Sequence, residues 1–450
     1  GALGDAFVRA FACEHSRLAL TMSLGSDSVA TATSVAAGVG PSNEHEKALD
    51  FANYFVSYGY IYHQKDMLQD RLRMEGYRTA ILNNRACFEG KAVLDVGAGS
   101  GILAIWAAKA GARVVYAVEA TSMAKHARRL AAANGVGDVV VVLEGYMEQV
   151  TLPEQVDVIV SEWMGYFLLR ESMLDPVIAA RDKWLKPNGA LFPSSASIYL
   201  APLCSSLYAP KLREFEREVS GWSHFKDFMG RENGVDISVL DAEWQQEQRD
   251  YLLHSCLWQL IDPAEVVGEA ARLLHFETAT VTQADVATVT RPFELTISSD
   301  SEVSGFGSWF DTAFEGSPSS PASSPVVLST EPPLETHWGQ QVLLLHPPQL
   351  AAAGDLLHGD FTLGRQRENH RLLALRIRLR HTRPATGEDV SPERLYSQLH
   401  YSHPPAVNRR GGVPRAGDPL QGRLTREQRR TAARRPALRP FDAPRGRRLP

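Results

Sequence analysis

Between Lys91 and Glu162 the chain alternates short β-branched runs with helix-forming segments, and this alternation limits the fold more than any other feature. Ala92–Val96, Val114–Glu119, Val139–Leu143 and Val156–Val160 read as strands. The segments running to Ala110 and Ala133 read as helices, the second stopped by Asn134-Gly135. Such an order predicts an α/β domain, a parallel sheet with crossover helices. Its first strand, Val93-Leu94-Asp95-Val96, runs into Gly97-Ala98-Gly99-Ser100-Gly101, a glycine turn that opens a helix. Glycines let a backbone pass close beneath a ligand without a Cβ clash.

A dinucleotide fingerprint would carry its third glycine one residue later, where Ile102 stands. A Gly-x-Gly-x-Gly turn suits S-adenosylmethionine; the plainer alternative is a tight structural turn. Glu119 ends the second strand eighteen positions after Gly101, where a carboxylate can accept from both hydroxyls of a ribose. After the apolar run Val156–Val160 comes Ser161-Glu162-Trp163-Met164-Gly165-Tyr166-Phe167-Leu168-Leu169-Arg170-Glu171. Nine residues apart, Glu162 and Glu171 would face opposite ways on one continuous helix or strand. They converge only if the chain folds back, most easily at Gly165. Two carboxylates walled by Trp163, Tyr166 and Phe167 would suit a planar cation with paired donors, a guanidinium. The alternative is one Glu in a surface salt bridge and the other at a helix N-terminus.

Ser161-Glu162-Trp163-Met164-Gly165-Tyr166, followed by Glu171-Ser172-Met173, resembles the double-Glu loop of protein arginine N-methyltransferases. The resemblance covers roughly Leu49 to Leu373, with five motifs in order. Tyr62-His63-Gln64-Lys65-Asp66-Met67-Leu68, Ala117-Val118-Glu119-Ala120-Thr121 and Thr336-His337-Trp338-Gly339-Gln340-Gln341 are most similar to a plant-specific branch. It implies Glu162 and Glu171 as the catalytic pair, and Asp95, Gly97, Gly99, Gly101, Glu119, Met147 and Glu148 around the cofactor, with Glu148 on the adenine. It implies that Gln64 and Arg73, from a helix folded over the cofactor, hold its methionine carboxylate. Met67 and Met173 would flank the transferable methyl, as in the type I enzymes that make asymmetric dimethylarginine. Tyr58, Trp163, Met164 and Trp338 would line the substrate side, and His337 and Asp70, which the resemblance places with the catalytic residues, would pair to tie two domains together. Without the resemblance, Arg73 reads as a surface arginine, His337-Trp338 as filler and the methionines as core. The sulfonium makes the methyl an electrophile already, so S-adenosylmethionine is expected without a metal.

The rest of the chain fills in the architecture. From Glu44 to Arg85 it reads helical, with Met67, Met74, Tyr77 and Ile81 as one buried stripe and Arg73 off it. After Pro193 strand-like pieces such as Thr278–Thr282, Val286–Val289 and Phe293–Ile297 take over, and Gly316–Pro325 reads as a surface loop. The expected fold is a Rossmann-like cofactor domain over residues 47–193 and a β-barrel substrate domain over 194–380. A helical insertion at 211–253 carries Phe215, Val219, Trp222, Phe225 and Met229 on one side, and the resemblance makes it a dimerisation arm, hence a homodimer. Residues 1–46 are expected to be disordered, with Met22 a plausible start, and 381–450 to be an Arg/Pro-rich tail without a packed core.

Charge is divided unevenly. Residues 371–450 hold 19 Arg, no Lys and six acidic residues, a formal +13, leaving 28 basic and 46 acidic residues, or −18, in 1–370. An acidic body favours basic protein partners, such as histone tails and Arg/Gly-rich segments, over nucleic acid. No apolar run approaches 18 residues, so no membrane span is expected. Cys13, Cys87, Cys204 and Cys256 lack the paired spacing of a zinc site or disulfide framework. A reducing cytoplasmic or nuclear setting is therefore expected. Two other functions compete with a protein arginine methyltransferase. One is a small-molecule methyltransferase, against which the double-Glu loop speaks. The other is a scaffold, if the altered C-terminus breaks the barrel.

Overall fold

The computed structural model describes residues 54–366 and 369–399. The segment 1–46, expected to be disordered, lies outside the described residues. After a helical stretch at residues 54–58 come two helices, α1 (Ile61–Leu68) and α2 (Arg71–Leu82). They are separate because Asp70 caps α2, its Oδ1 accepting from Arg73 N at 3.0 Å. That break resets the helical register, and α2 buries Arg73 together with Tyr77, Ala80 and Ile81. The expectation that Arg73 lies off the buried stripe is thereby corrected.

A five-stranded parallel sheet follows: β1 (Ala92–Val96), β2 (Val114–Glu119), β3 (Val140–Glu144), β4 (Val156–Val160) and β5 (Leu185–Phe192). Its crossings are made by α3 (Ile102–Lys109), α4 (Ala124–Ala133) and α5 (Leu174–Trp184). The order is β3-β2-β1-β4-β5, so successive strands step one way from β1 and then resume on its other side. β1 is buried along its whole length. Ligands of such sheets bind beyond the carboxyl ends of the strands at this reversal. The glycine turn, Glu119 and Glu162 leave β1, β2 and β4 at that edge.

Beyond Pro193 the chain is antiparallel. One sheet holds β6 (Ser195–Leu203), β7 (Leu257–Gln259), β8 (Ala271–Glu277), β10 (Ser301–Ser317) and β12 (Gln340–Ala351), with β11 (Ser320–Ser329) paired to β10. A second has the order β15-β14-β13-β9, from β9 (Thr288–Thr296), β13 (Leu356–Arg365), β14 (Leu373–Arg383) and β15 (Glu388–Leu399). Among the described residues these two sheets do not close into one continuous barrel, which corrects the expected closed form. The β-bridges Leu203↔Val266 and Gly268↔Ile297 link them locally, and apolar packing joins them more widely: Phe293 of β9 meets Phe306 of β10 edge-on at 5.9 Å, inside a core continuous with that of the parallel sheet. Between β6 and β7 stand α6 (Tyr208–Asn233) and α7 (Asp241–Leu252). Trp222 stacks on Trp244 at 4.8 Å and donates Nε1–H to Asp241 at 2.7 Å, pinning the two helices together. No residue of α6 is buried, and Phe225 and Phe228 stay about half exposed.

Three sequence expectations give way. Residues 278–282 form a turn rather than a strand, and Val286 lies in the short helix α8 (Gln283–Ala287), which a Thr282/Asp285 capping box starts. Gly316–Pro325 is no loop but the tip of the β10–β11 hairpin; Pro321 and Pro325 are tolerated because β11 pairs only with β10. Finally, 380 is not the end of packed structure. β14 runs on to Arg383, and β15 pairs with it while burying Tyr396. Pro392 fits because β15 is an edge strand and the register shifts there, from Leu379↔Arg394 to His381↔Ser391.

This boundary has a measurable consequence. A chain ended after residue 399 is expected to keep its thermal midpoint within about 4 °C of the full chain, whereas one ended after 380 loses β15 and should fall by more than ~5 °C. Scanning calorimetry of both truncations checks this, and equal midpoints would show that β15 does not contribute to the fold.

Candidate active site

The cofactor edge is built by backbone shape. Gly97, Gly99 and Gly101 all take positive φ (71°, 53° and 80°), a conformation that side-chain-bearing residues rarely adopt. α1 lies over this turn: Gln64 is buried, donates to Tyr58 O at 3.1 Å, and its Oε1 comes within 2.9 Å of where a Cβ on Gly99 would be. Met173 Cε stands 3.4 Å from the matching point on Gly97. Met67 is half-buried on α1, Met147 is buried, and Glu148 beside it is exposed. Glu119 Oε2 accepts from Gly99 N and Oε1 from Thr121 N, both at 2.7 Å. Each carboxylate oxygen accepts twice, so capacity for two ribose hydroxyls is left.

Asp95 is fully buried; its Oδ2 accepts from Ala104 N at 3.0 Å, while Oδ1 has no partner. Burial pushes its carboxyl up to about 7, helped by the charge on Glu119 and opposed by the Ala104 hydrogen bond. An orphaned acceptor beneath a glycine cradle with a ribose-type carboxylate opposite fits a nucleoside cofactor.

The loop after β4 turns back on itself at Gly165, whose N donates to Leu168 O at 2.9 Å. A Cβ at Gly165 would lie 2.1 Å from Arg170 O, so no other residue fits without moving backbone. Phe167, Leu168, Glu171 and Ser172 also have positive φ (53°, 60°, 78° and 56°). The aromatic walls are placed otherwise than expected. Trp163 is buried near Phe276 with its ring centroid at 6.0 Å, and Phe167 stacks on Phe361 of β13 at 5.8 Å. Met164 and Trp338 are buried too, with Trp338 Nε1 donating to Met164 O at 2.9 Å. Trp163, Met164 and Trp338 therefore support the loop from within rather than lining an open surface.

Each carboxylate is separately aimed. Glu162 Oε2 accepts from Arg73 Nε and Nη2 at 3.0 and 2.8 Å, and Oε1 from Met164 N at 3.1 Å. Glu162 does sit in an ion pair, then, but a largely buried one with a helix from across the cofactor edge. Glu171 Oε2 accepts from Tyr58 OH at 2.8 Å. Asp70 Oδ2 receives His337 N at 2.8 Å and lies 2.7 Å from His337 Nδ1, so the Thr336-His337-Trp338 loop of the β region meets the N-cap of α2. Burial raises the Asp70 carboxyl, yet hydrogen bonds from His337 and Arg73 N outweigh it and hold the carboxyl below its ordinary value.

Several supports escaped the sequence reading. Tyr77 OH donates to Ser161 O at 2.9 Å, and Ser161 Oγ to Val96 O at 2.7 Å, locking the start of the loop to β1. Its far end is held by the turn between β13 and β14: Glu171 N donates to Arg371 O at 2.7 Å, Arg371 Nη1 returns a bond to Glu171 O at 2.8 Å, and Ser172 Oγ donates to His370 O at 2.6 Å. Arg365 grips Asp175 of α5 with two bonds of 2.7 Å. Tyr77 had a signal, its place in the apolar stripe, and Ser161 opens the loop motif. His370, Arg371 and Arg365 come from about 200 residues away with no local motif.

A parallel sheet with a glycine cradle and a ribose-type carboxylate, joined to a β region that grips a two-carboxylate loop, defines a methyltransferase-like fold. Similarity to known proteins narrows this. Residues 194–384 match the arginine methyltransferase oligomerization subdomain, and 53–191 match ribosomal protein L11 methyltransferase (PrmA). Protein arginine N-methyltransferase PRMT10 of Oryza sativa subsp. japonica is 49% identical over 350 residues, 76% of this chain and 91% of the relative. Its namesake in Arabidopsis thaliana is 45% identical over 343 residues, 76% of this chain and 90% of the relative. The crystal structure of Arabidopsis thaliana protein arginine methyltransferase 10, described as uniquely open, superposes with a TM-score of 0.74 at 42% identity. The match covers 77% of this chain and 99% of that one. The Trypanosoma brucei PRMT1 enzyme-prozyme heterotetramer with AdoHcy superposes at 0.62 and 31% identity, over 76% and 99%. The chain belongs to the protein arginine N-methyltransferase family.

Two substitutions probe this geometry. Gly165→Ala is expected to destabilise the protein by about 1–3 kcal/mol in chemical denaturation, the usual cost of forced overpacking; a change under ~0.5 kcal/mol would mean the turn is looser than described. Asp95 binds its proton more tightly folded than unfolded, so its contribution to stability falls as pH rises from about 4 towards 7. Asp95→Asn cannot ionise, so its stability relative to the native chain should rise by on the order of 1–4 kcal/mol between pH 5 and pH 8. A pH-independent difference would contradict the buried charge.

Proposed function

We propose that the chain transfers methyl groups from S-adenosylmethionine to the guanidinium nitrogens of arginine in basic protein segments, histone tails and Arg/Gly-rich stretches among them. The products are mono- and asymmetric dimethylarginine, the type I outcome. One observation carries this: Glu162 and Glu171 end a single folded-back loop beside the glycine cradle, and each is oriented by its own partner. AdoHcy in the Trypanosoma brucei relative supports the cofactor.

Gln64 and Arg73, with Gly97, Gly99, Gly101, Asp95 and Glu119, would hold the cofactor, and Met67 and Met173 would flank its methyl. The bound cofactor supplies an electrophilic methyl on a positively charged sulfur. A guanidinium is a poor nucleophile while its charge is spread over three nitrogens. Glu162 and Glu171 grip two of those nitrogens and concentrate the lone pair on the third. The carboxylates are positioned beforehand, Glu162 by Arg73 and Met164 N, Glu171 by Tyr58, so little reorganisation remains at the reacting step. Alignment of this kind is worth up to roughly 7–11 kcal/mol of barrier. His337 and Asp70 position the loop without touching the reacting atoms.

The two antiparallel sheets form a barrel-like substrate domain in this reading. The α6–α7 hairpin serves as a dimerisation arm, because Phe225 and Phe228 leave apolar surface that a second copy would cover. The match to an oligomerization subdomain supports this assignment. The enzyme works in the cytoplasm, the nucleus or both.

Glu171→Gln is expected to lower methyl transfer to an Arg/Gly peptide on the order of 10²-fold or more while calorimetric cofactor binding persists. Near-normal turnover would sink the mechanism, and lost cofactor affinity would make the loop a structural element. Light scattering at micromolar concentration should find a dimer; an active monomer would show that the arm has another role.

A further inference from the structure

Beside the Thr336-His337-Trp338 loop a tryptophan is held in place and left in the open. β7 is an edge strand, and its Trp258 pairs with Gln341 of β12. Leu257 before it packs into a small core with Val342, so Trp258 points the other way and stays 41% exposed. Its Nε1–H donates to His337 O at 3.3 Å. Gly339, at φ 51°, allows the close approach, since a Cβ there would lie 2.6 Å from Trp258 Nε1. The indole is thus fixed along one edge while apolar area remains in water. Leu260 and Leu334, both exposed, stand nearby.

Acidic residues gather close by. The Gln340 amide draws three backbone segments together: Oε1 accepts from Ile261 N at 2.8 Å, and Nε2 donates to Thr330 O at 2.7 Å and to Leu334 O at 3.1 Å. The next residue along each segment is Asp262, Glu331 or Glu335, and all three are exposed. Residues 255–271 and 326–345, which carry this surface, contain no Lys or Arg. An open indole among carboxylates is complementary to a cation that can stack, and a guanidinium both stacks and stays charged. The surface is also continuous with the methyl-transfer site. Trp338, next to His337, donates Nε1–H to Met164 O at 2.9 Å, and Met164 N donates to Glu162 Oε1 at 3.1 Å. From the indole to the Glu162 carboxylate this path is roughly 20 Å, which about six residues of extended peptide span.

We propose that Trp258 is a specificity-determining residue: its ring takes a second guanidinium, on an arginine within about six residues of the one being methylated, and Asp262, Glu331 and Glu335 supply the compensating charge. The inference rests on the function proposed above. A substrate anchored at its reacting arginine makes the second contact intramolecularly, so a weak stacking interaction suffices to raise affinity. Because that contact is the same before and during methyl transfer, it lowers KM and leaves kcat alone. Segments with arginines repeated at short intervals are thereby favoured over those with a lone arginine.

The test compares two glycine-rich peptides with one central arginine, flanked five residues away on each side by arginine in the first and by glutamine in the second. Methyl label on the central arginine is followed by mass spectrometry with labelled S-adenosylmethionine. For the native chain, KM at the central arginine should be at least fivefold lower with flanking arginines, at equal kcat. Trp258→Leu should bring the two KM values within twofold of each other, and Trp258→Phe, which keeps an aromatic face, should retain at least a twofold difference. A ratio of KM values does not depend on the fraction of folded enzyme. Should Trp258→Leu fail to fold at all, Glu331→Gln/Glu335→Gln on the exposed loop should shrink the same ratio at least twofold. A native chain that methylates both peptides with equal KM would overturn the proposal and leave the function standing, as would a Trp258→Leu chain that keeps the fivefold difference. If the native chain methylates neither peptide, the proposed function falls and this inference with it.

Discussion

The structure depends on one backward fold, that of the loop from Ser161 to Met173. Four residues in left-handed conformations make it strained, at about 1–2 kcal/mol each or ~4–8 together. It persists because Trp163, Phe167, Leu168 and Leu169 are buried, each contributing about 1.5–3 kcal/mol or ~6–12 together, enough to offset that cost. Strain held in place by its surroundings is a common property of sites that must keep charged groups in one arrangement. Here it replaces the regular strand or helix on which Glu162 and Glu171 would face opposite ways.

Both halves of the molecule hold this loop. Strand β1 and helix α2 fix its start through Ser161, Tyr77 and Arg73, and the antiparallel region fixes its end through His370, Arg371 and Phe361. Asp70 links the two once more, capping α2 with one oxygen and receiving His337 with the other. Because Arg73 lies on the helix that Asp70 caps, the orientation of Glu162 is coupled to the docking of the Thr336-His337-Trp338 loop.

Much of this was legible in the sequence, for definite reasons. Strand and helix periods expose the parallel sheet, glycines expose a turn that side chains would block, and Gly165 marks the only easy reversal between two glutamates. Residues that act through distant partners left no local trace. Arg73 reads as surface because nothing nearby in sequence announces Glu162, and Arg371 lies 200 positions from the residue it clamps. Only the last strand, β15, was missed, because Pro392 and the Arg/Pro content beyond Arg380 mimic an unpacked composition. On an edge strand a proline at a register shift is tolerated, and outward-facing arginines alternate with buried Leu375, Ile377 and Leu379.

The central claim is that the two carboxylates jointly hold one substrate guanidinium. A crystal structure of the protein with S-adenosylhomocysteine and an arginine-containing peptide measures it directly. The account predicts guanidinium nitrogens within about 2.7–3.2 Å of carboxylate oxygens on both Glu162 and Glu171. A guanidinium bound by only one of them, or seated elsewhere while both carboxylates keep only their present partners, would contradict it.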